Sequence, residues 1–400
     1  MPSRPQVLLA AVLAGAALTL GLWLAREAPA TAAPMPAAPF FVDRDAGVRV
    51  VTVATGLDHP WSLAFLPDGS RLVTEKSGTL RRIGARGAVS APLSGVPEVD
   101  PRGQGGLLEV AVDPDFAANR FIYLSYVEPH TDGGNGIAVA RGMLAADNQA
   151  LTGLRVIFRQ QPTVRSTAHF GGRLAFAADG MLFVTLGDRQ ADRERGKAQH
   201  LDKHHGKIVR IARDGSVPAG NPFAGRRDAR PEIWSLGHRN VQGAAIHPRT
   251  GELWISEHGP QGGDEINVAK KGRNYGWPVI TYGCEYGGCR PIGEGTHREG
   301  MEQPLTWWVP VSTAPSGLAF YTGDRFPAWR GNLFSGSLAG KTLWRIELDG
   351  EHVLARHALL TGLGERLRDV RQGPDGFLYL LTDSPQGRLL RVEPLAADAR

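Results

Sequence analysis

The chain has 400 residues, with 45 Lys and Arg against 40 Asp and Glu and a net charge of +5. Its basic residues are interspersed with acidic ones, which describes a solvated surface and argues against a nucleic-acid partner. Gly (51) and Pro (28) are abundant and helix-period amphipathic segments are scarce, as expected for a fold made of hairpins.

The chain opens with a basic start at Arg4, an apolar run from Val7 to Ala25, and small-residue cleavage sites at Ala28-Pro-Ala30 and Ala30-Thr-Ala32. Residues 1–32 are therefore expected to be an export signal or, since the run is just long enough to span a bilayer, an uncleaved membrane tether. Either places the remainder in the periplasm or another extracytoplasmic, oxidising compartment. Residues 33–45 are expected to link this segment to the folded domain, and the Ala/Pro-rich stretch Thr31–Pro39 is expected to lack fixed structure.

From there one pattern is written six times. Ser62-Leu-Ala-Phe-Leu-Pro-Asp-Gly69 is followed by the apolar run Arg71-Leu-Val-Thr74, and related text recurs at Leu108–Phe121, Leu174–Thr185, Gly243–Ser256, Gly317–Ser335 and Val370–Thr382. Alternating apolar stretches around a Pro/Asp/Gly turn form a β-hairpin signature. Spaced roughly 45–75 residues apart, the copies match propeller blades, which must stack in a closed ring to bury both faces. Residues 46–396 are thus expected to form one all-β domain, a six-bladed propeller with a central tunnel.

The polar residues that interrupt the repeat are the informative ones. Arg102-Gly-Gln-Gly-Gly-Leu107 opens the second repeat and holds Gln104 among glycines, either a plain turn or an amide within reach of a ligand. In Thr167-Ala-His-Phe-Gly-Gly-Arg173, His169 sits where a strand enters the ring, and Asp188 ends the same hairpin. A His/Asp pair is a general-base arrangement if the hairpin ends meet, although His169 alone also fits a hydrogen-bonded loop residue. His204 and His205 read as solvated loop histidines, because neighbours on an extended segment point oppositely. Arg239 beside Asn240 suits a carboxylate or quinone oxygen. Ser256-Glu-His-Gly-Pro-Gln-Gly-Gly-Asp-Glu265 offers backbone carbonyls at Gly259 and Pro260, with Asp264 and Glu265 nearby, for a hard cation such as calcium. Cys284 and Cys289 have four residues between them, and in an exported protein a local disulfide is expected. Trp307-Trp308 fits core or pocket wall equally. In Glu365-Arg-Leu-Arg-Asp369, Arg366 and Arg368 share one strand face and repel unless an anion lies between them, which points to a ligand with more than one negative charge.

Taken together, these residues give a chain that resembles the soluble quinoprotein sugar dehydrogenases, which use pyrroloquinoline quinone (PQQ), and more closely the bacterial aldose sugar dehydrogenases. The likeness runs from about Gly56 to Val392. It is carried by Gly103-Gln-Gly-Gly-Leu-Leu-Glu-Val-Ala-Val-Asp-Pro-Asp-Phe116, His169-Phe-Gly-Gly-Arg-Leu174, Gly237-His-Arg-Asn240, Glu257-His-Gly-Pro260, Gly263-Asp-Glu-Ile-Asn267, Asn274-Tyr-Gly-Trp-Pro278 and Arg366-Leu-Arg-Asp-Val370. The resemblance implies His169 as catalytic base with Asp188 as its partner, and Arg239 beside them in the catalytic group. It implies that Gln104, Arg239, Asn240, Tyr286, Ser337, Leu338, Arg366 and Arg368 hold the quinone. Gly259 and Pro260 would bind calcium at the cofactor, and Glu265 and Tyr275 a further, structural calcium. One departure stands out: family members commonly carry a cofactor-contacting Lys after a Ser/Ala-Leu pair, whereas this chain reads Ser337-Leu-Ala339, with Lys341 two positions later.

The expected activity is oxidation of an aldose at its anomeric carbon to a lactone, with electrons passing to an external acceptor. The rival readings are a calcium-dependent, lactonase-like propeller hydrolase and a non-catalytic propeller that binds a glycan or protein. Neither the preferred sugar, the acceptor nor the oligomeric state is written in the residues.

Overall fold

The structure, a computed structural model, describes residues 40–395. The expected export signal and most of the linker lie outside these residues. Six antiparallel sheets are arranged around one axis, and their innermost strands pack in sequence and then back onto the first, closing a six-bladed propeller. The innermost strands are Pro60–Phe65, Leu107–Val112, Gly171–Phe176, Val241–Ile246, Pro315–Phe320 and Leu367–Gln372, in blades one to six.

Each hairpin forms where the sequence writes its turn. Asp68, Asp179 and Asp375 accept the backbone N–H two residues onward, at 2.9, 3.0 and 3.3 Å, the side-chain mimic of a turn that Asp favours. The alternating apolar residues then face neighbouring blades, so the core is a set of clusters lodged between sheets. One joins Leu108, Tyr123, Leu174 and Val184 of blades two and three; another joins Tyr321, Phe334, Val370 and Leu380 of blades five and six.

The ring is closed by the two ends of the chain. Val48–Leu57 pairs with Gly387–Pro394, in register from Val48 opposite Pro394 to Leu57 opposite Gly387, and so completes blade six. Its outer edge is covered by Phe40–Asp43, paired Phe40 to Val51. The stretch Thr31–Pro39 lies outside the described residues, and Phe40–Asp43, within the linker expected over 33–45, is a strand. Phe40, Phe41 and Val42 are good strand formers beside an open edge, Phe41 packs on the blade-six core, and Asp43 accepts the Leu360 N–H at 2.7 Å.

The tunnel is blocked midway by buried charge. Arg173, 1% exposed, donates to Glu109 and to Asp369, each at 2.9 Å, while Arg371 donates to the same two carboxylates at 2.5 and 3.0 Å. Two cations and two anions from blades two, three and six thus balance within one network. On one side lies a cavity of about 390 Å³ lined mainly by apolar ends of the innermost strands, with Glu109 and Arg371 at its floor. On the other lies a smaller, more polar cavity.

Candidate active site

That second cavity, about 250 Å³, lies where the innermost strands begin and is lined by Trp61, Gln104, Phe170, Gly171, Asn240, Gln242, His258, Ala314, Leu338, Arg366 and Arg368. Arg173 braces it from beneath, donating to the backbone carbonyls of Gln242 (2.7 Å) and Arg368 (3.1 Å). Arg368 donates to Gln242 Oε1 at 2.9 Å and stands over the Trp61 ring, 5.6 Å from its centroid. Burial pulls its guanidinium down to about 10, a desolvation that an anion beside it would offset.

His169 stands at the rim, immediately before the lining residues Phe170 and Gly171. Its backbone adopts φ +48°, an uncommon conformation for a residue with a side chain and a typical feature of functional sites. It is held there by Gln104, whose Oε1 accepts the His169 N–H at 2.9 Å. Its ring Nδ1 lies 2.7 Å from Asp188 Oδ1. The hairpin ends meet because position 187 is glycine: a Cβ there would stand 2.0 Å from the His169 carbonyl oxygen. Asp188 also accepts the Trp277 indole N–H and the Gln190 backbone N–H, both at 2.7 Å. Burial works to raise its pKa, but the hydrogen bond to His169 and the nearby Arg239 hold it below the usual carboxylate value. An ionised Asp188 only accepts, so His169 carries its proton on Nδ1 and leaves the Nε2 lone pair free. Burial first, and then Arg239, depress the His169 pKa, keeping the ring neutral.

Arg366 and Arg368 do share the cavity, as their spacing requires. The anion beside them is in part the chain's own: Asp383 lies 2.8 Å from Arg366 and 3.8 Å from Arg368. Burial would raise its pKa, yet Arg368 above all brings it to about 2. One carboxylate between two guanidiniums leaves a net positive cavity. Asp383 was legible as a pattern, since the second strands of blades one, three, four and six end at or within two residues of an acid: Glu75, Asp188, Glu257 and Asp383.

Several expected contacts are placed differently. Arg239 does not line this cavity; its Nη1 donates to the carbonyls of His258 (2.9 Å) and Gly259 (2.5 Å), and its buried Nε has no partner among the described residues. The Gly259 carbonyl, expected on calcium, is therefore on a guanidinium, and the Pro260 carbonyl already accepts Tyr286 Oη (3.0 Å) and Ser312 Oγ (2.9 Å). Tyr286 is 64% exposed and lies outside the lining. Leu338 lines the cavity, but the Ser337 hydroxyl turns away to Thr313 Oγ1 at 2.7 Å, because its strand alternates. Ala339 and Lys341 are exposed, and Lys341 does not line the cavity.

Glu265 and Tyr275 do meet, at a separate space of about 20 Å³ that Glu257 also lines. Burial, then Glu257, pushes the Glu265 carboxyl up to about 8. Asn267 donates to Glu265 at 3.1 Å while its own Oδ1 is buried without a donor among the described residues. The Tyr275 hydroxyl is committed elsewhere, accepting the Lys270 N–H at 2.7 Å, so only its backbone oxygen remains for a cation.

Three further expectations resolve here. His204 and His205 are buried, not solvated: His204 Nε2 hydrogen-bonds Glu232 at 2.6 Å, and His205 Nε2 lies 2.9 Å from Glu194 without a hydrogen bond. Cys284 and Cys289 are disulfide-bonded. Trp308 is core, whereas the half-buried Trp307 stacks on Tyr282 at 4.1 Å. Residues that the sequence did not single out include Trp61, Gln242, His258 and Trp277. His258 lines both cavities, donates to the Pro315 carbonyl at 3.0 Å, and is kept neutral by burial and by Arg368.

A propeller with a cationic cavity in its tunnel and a buried His/Asp pair at the rim defines a class of sugar oxidoreductases. The chain belongs to the glucose/sorbosone dehydrogenase family, whose sequence model matches residues 57–391. It is 48% identical over 351 residues to the aldose sugar dehydrogenase YliI of Escherichia coli K12, across 87% of this chain and 94% of that one. Among solved structures, the apo form of the soluble aldose sugar dehydrogenase from Escherichia coli superposes with a TM-score of 0.84, covering 87% of this chain and 99% of that one at 48% identity. The PQQ-bound form of an aldose sugar dehydrogenase from Streptomyces coelicolor gives 0.70 at 33% identity, covering 90% and 99%.

Proposed function

We propose that this protein is a quinoprotein aldose dehydrogenase that oxidises the anomeric carbon of an aldose to the lactone, using PQQ and containing calcium. The observation that carries the reading is the His169–Asp188 pair set beside a cavity into which Arg366 and Arg368 project. The residues fit a planar polyanion: the cavity keeps a positive excess over Asp383, and Trp61 and Phe170 supply flat walls. Arg366, Arg368, Gln104 and Asn240 would hold the group. When bound, PQQ supplies the two-electron acceptor for the hydride leaving the sugar's C1.

The chain's own residues do the rest. His169 Nε2 takes the proton of the anomeric hydroxyl, Asp188 stabilises the imidazolium so formed, and Trp277 fixes the far carboxylate oxygen so that the pair keeps its angle. For calcium, the fit differs between the two expected places. The Gly259 carbonyl accepts Arg239 and the Pro260 carbonyl accepts Tyr286 and Ser312, so a cation there would share or displace those donors, and no step is derived from it. Glu257, Glu265 and the orphaned Asn267 oxygen form a hard-donor set that would hold one calcium and relieve the carboxylate repulsion. An exported, periplasmic location accords with the N-terminal residues and with the Cys284–Cys289 bond.

The test is to reconstitute the purified protein with PQQ and calcium and follow sugar-dependent dye reduction in the wild type and in His169→Ala. A rate lower by about 10²–10⁴ in the variant, with quinone binding retained, is expected. Equal rates, or ester turnover without the quinone, would overturn the reading.

A further inference from the structure

A third cavity, of about 440 Å³, opens on the same face as His169 and is lined by Arg102, Gly133, Arg165, Ser166, Thr167, Gln190 and Ala191. It shares a wall with the cofactor cavity. The Gln104 N–H donates to the Thr167 carbonyl at 2.7 Å, so the loop that reaches the cofactor on one side faces this space on the other. The two loops approach so closely that a Cβ at Gly103 would stand 2.3 Å from the Thr167 oxygen. Thr167 is two residues from His169, and Gln190 is two from Asp188. Two residues of chain span at most about 7 Å, so the backbone lining this cavity begins about one sugar ring from the backbone of the His169–Asp188 pair.

The space is preformed by buried polar structure. Arg189, fully buried, lies over the Phe170 ring and donates to Asn135 Oδ1 (2.5 Å) and to the Ser166 carbonyl (2.9 Å). Asn135 in turn donates to Asp100 at 2.8 Å. This network holds Arg189 and Gln190 at φ +68° and +66°, two consecutive left-handed residues with side chains, and leaves Gln190 exposed at the cavity. The charge is cationic. Arg102 is paired with Asp100, but Arg165 is exposed, donates to the backbone carbonyl of Asp132 at 2.5 Å, and forms no ion pair with a carboxylate among the described residues. The volume is that of a small organic ligand, too large for an inorganic ion.

We infer that this cavity is a second-sugar subsite for an acidic residue: a disaccharide whose reducing unit lies against His169 and whose next unit carries a carboxylate onto Arg165, with Gln190 and Thr167 addressing its hydroxyls. The inference rests on the aldose dehydrogenase reading for the first unit only. Its test compares glucuronosyl-β-1,4-glucose with cellobiose, titrated calorimetrically into the apoprotein at low salt and assayed as kcat/KM in the quinone-loaded enzyme, in the wild type and in Arg165→Gln. The wild type is expected to bind the acidic disaccharide at least about tenfold more tightly than cellobiose, and Arg165→Gln to lose that preference while its kcat/KM for glucose stays the same. Equal affinity for the two disaccharides in the wild type, no measurable binding of the acidic one, or an equal loss for both in Arg165→Gln would overturn the proposal. Arg165-dependent binding in a protein that oxidises no aldose would support the subsite and overturn the dehydrogenase reading.

Discussion

Replacing Asp188 by Asn preserves shape and removes charge, and the three donors around the side chain set the consequence. The carboxylate is fully buried and accepts three N–H groups at 2.7 Å, from His169, Trp277 and Gln190. An amide keeps one acceptor oxygen and turns a donor toward whatever faces its nitrogen. If that is Trp277, two donors confront each other and one goes unsatisfied, at a cost of about 1–3 kcal/mol in stability. If it is His169, the imidazole is driven to the other tautomer, with hydrogen on Nε2, and the base disappears. In both cases His169 loses the carboxylate that works to raise its already depressed pKa. The expected fall in the chemical step is about 10²–10⁴, equivalent to about 2.7–5.5 kcal/mol in the barrier. Single-turnover reduction of preloaded quinone by excess sugar reads this step without interference from the external acceptor. Asp188→Asn enzyme within threefold of the wild type in that assay would refute the assigned tautomer and the role of the pair.

Arg368→Gln should weaken quinone binding roughly 10–150-fold in an absorbance titration, whereas Arg366→Gln, exposed and paired with Asp383, should cost less than about tenfold; equal losses would contradict the burial argument. Arg173→Met leaves Glu109 and Asp369 with Arg371 alone and should lower stability by about 3–5 kcal/mol in urea unfolding. An unchanged midpoint would show that the charges crossing the tunnel are not coupled. The pKa values of His169, His204 and His258 lie below 6.5 through burial, and that of His205 is lowered to about 4. The unfolded chain therefore binds more protons than the folded one below pH 6.5. Stability is complete above that value and falls as pH drops toward the folded values, by about 1.4 kcal/mol per unit for each ring that stays neutral. Glu265, raised to about 8, acts oppositely between pH 4.5 and 8, and Asp264, raised to about 6, does so below that value, so the urea series is run in Glu265→Gln and kept above pH 6. A midpoint that does not move between pH 7.5 and 6 would refute buried neutral histidines.

The six blades were legible because a hairpin is a local object. Asp68-Gly69 and its equivalents set the turns, strand alternation set the faces, and counting copies gave the ring. The same locality let the sequence place Arg366 and Arg368 on one face and His169 and Asp188 at two ends of one hairpin. Local reasoning failed where a connecting loop folds back over its own blade and brings charged groups onto side chains that look exposed. His204 and His205 read as solvated, yet Glu232 and Glu194 enclose them. Ser337 Oγ lies against Thr313 Oγ1 and Tyr286 Oη donates to the Pro260 carbonyl, partners that the sequence did not indicate. Phe40–Asp43 looked like linker because the strand it pairs with, Val48–Leu57, is held in the sheet by Gly387–Pro394 from the far end of the chain.

By itself the sequence determined the repeat, the ring size and the chemical types available to the site, since periodicity and residue identity are properties of the chain alone. The tertiary structure decided which of those groups share a cavity and in what state of charge. It made Asp383 the anion between two arginines, turned Arg239 onto the Gly259 carbonyl, and kept His169 neutral against Asp188. Those outcomes depend on burial and on distances between blades, and both come into being only when the ring closes and water leaves the tunnel.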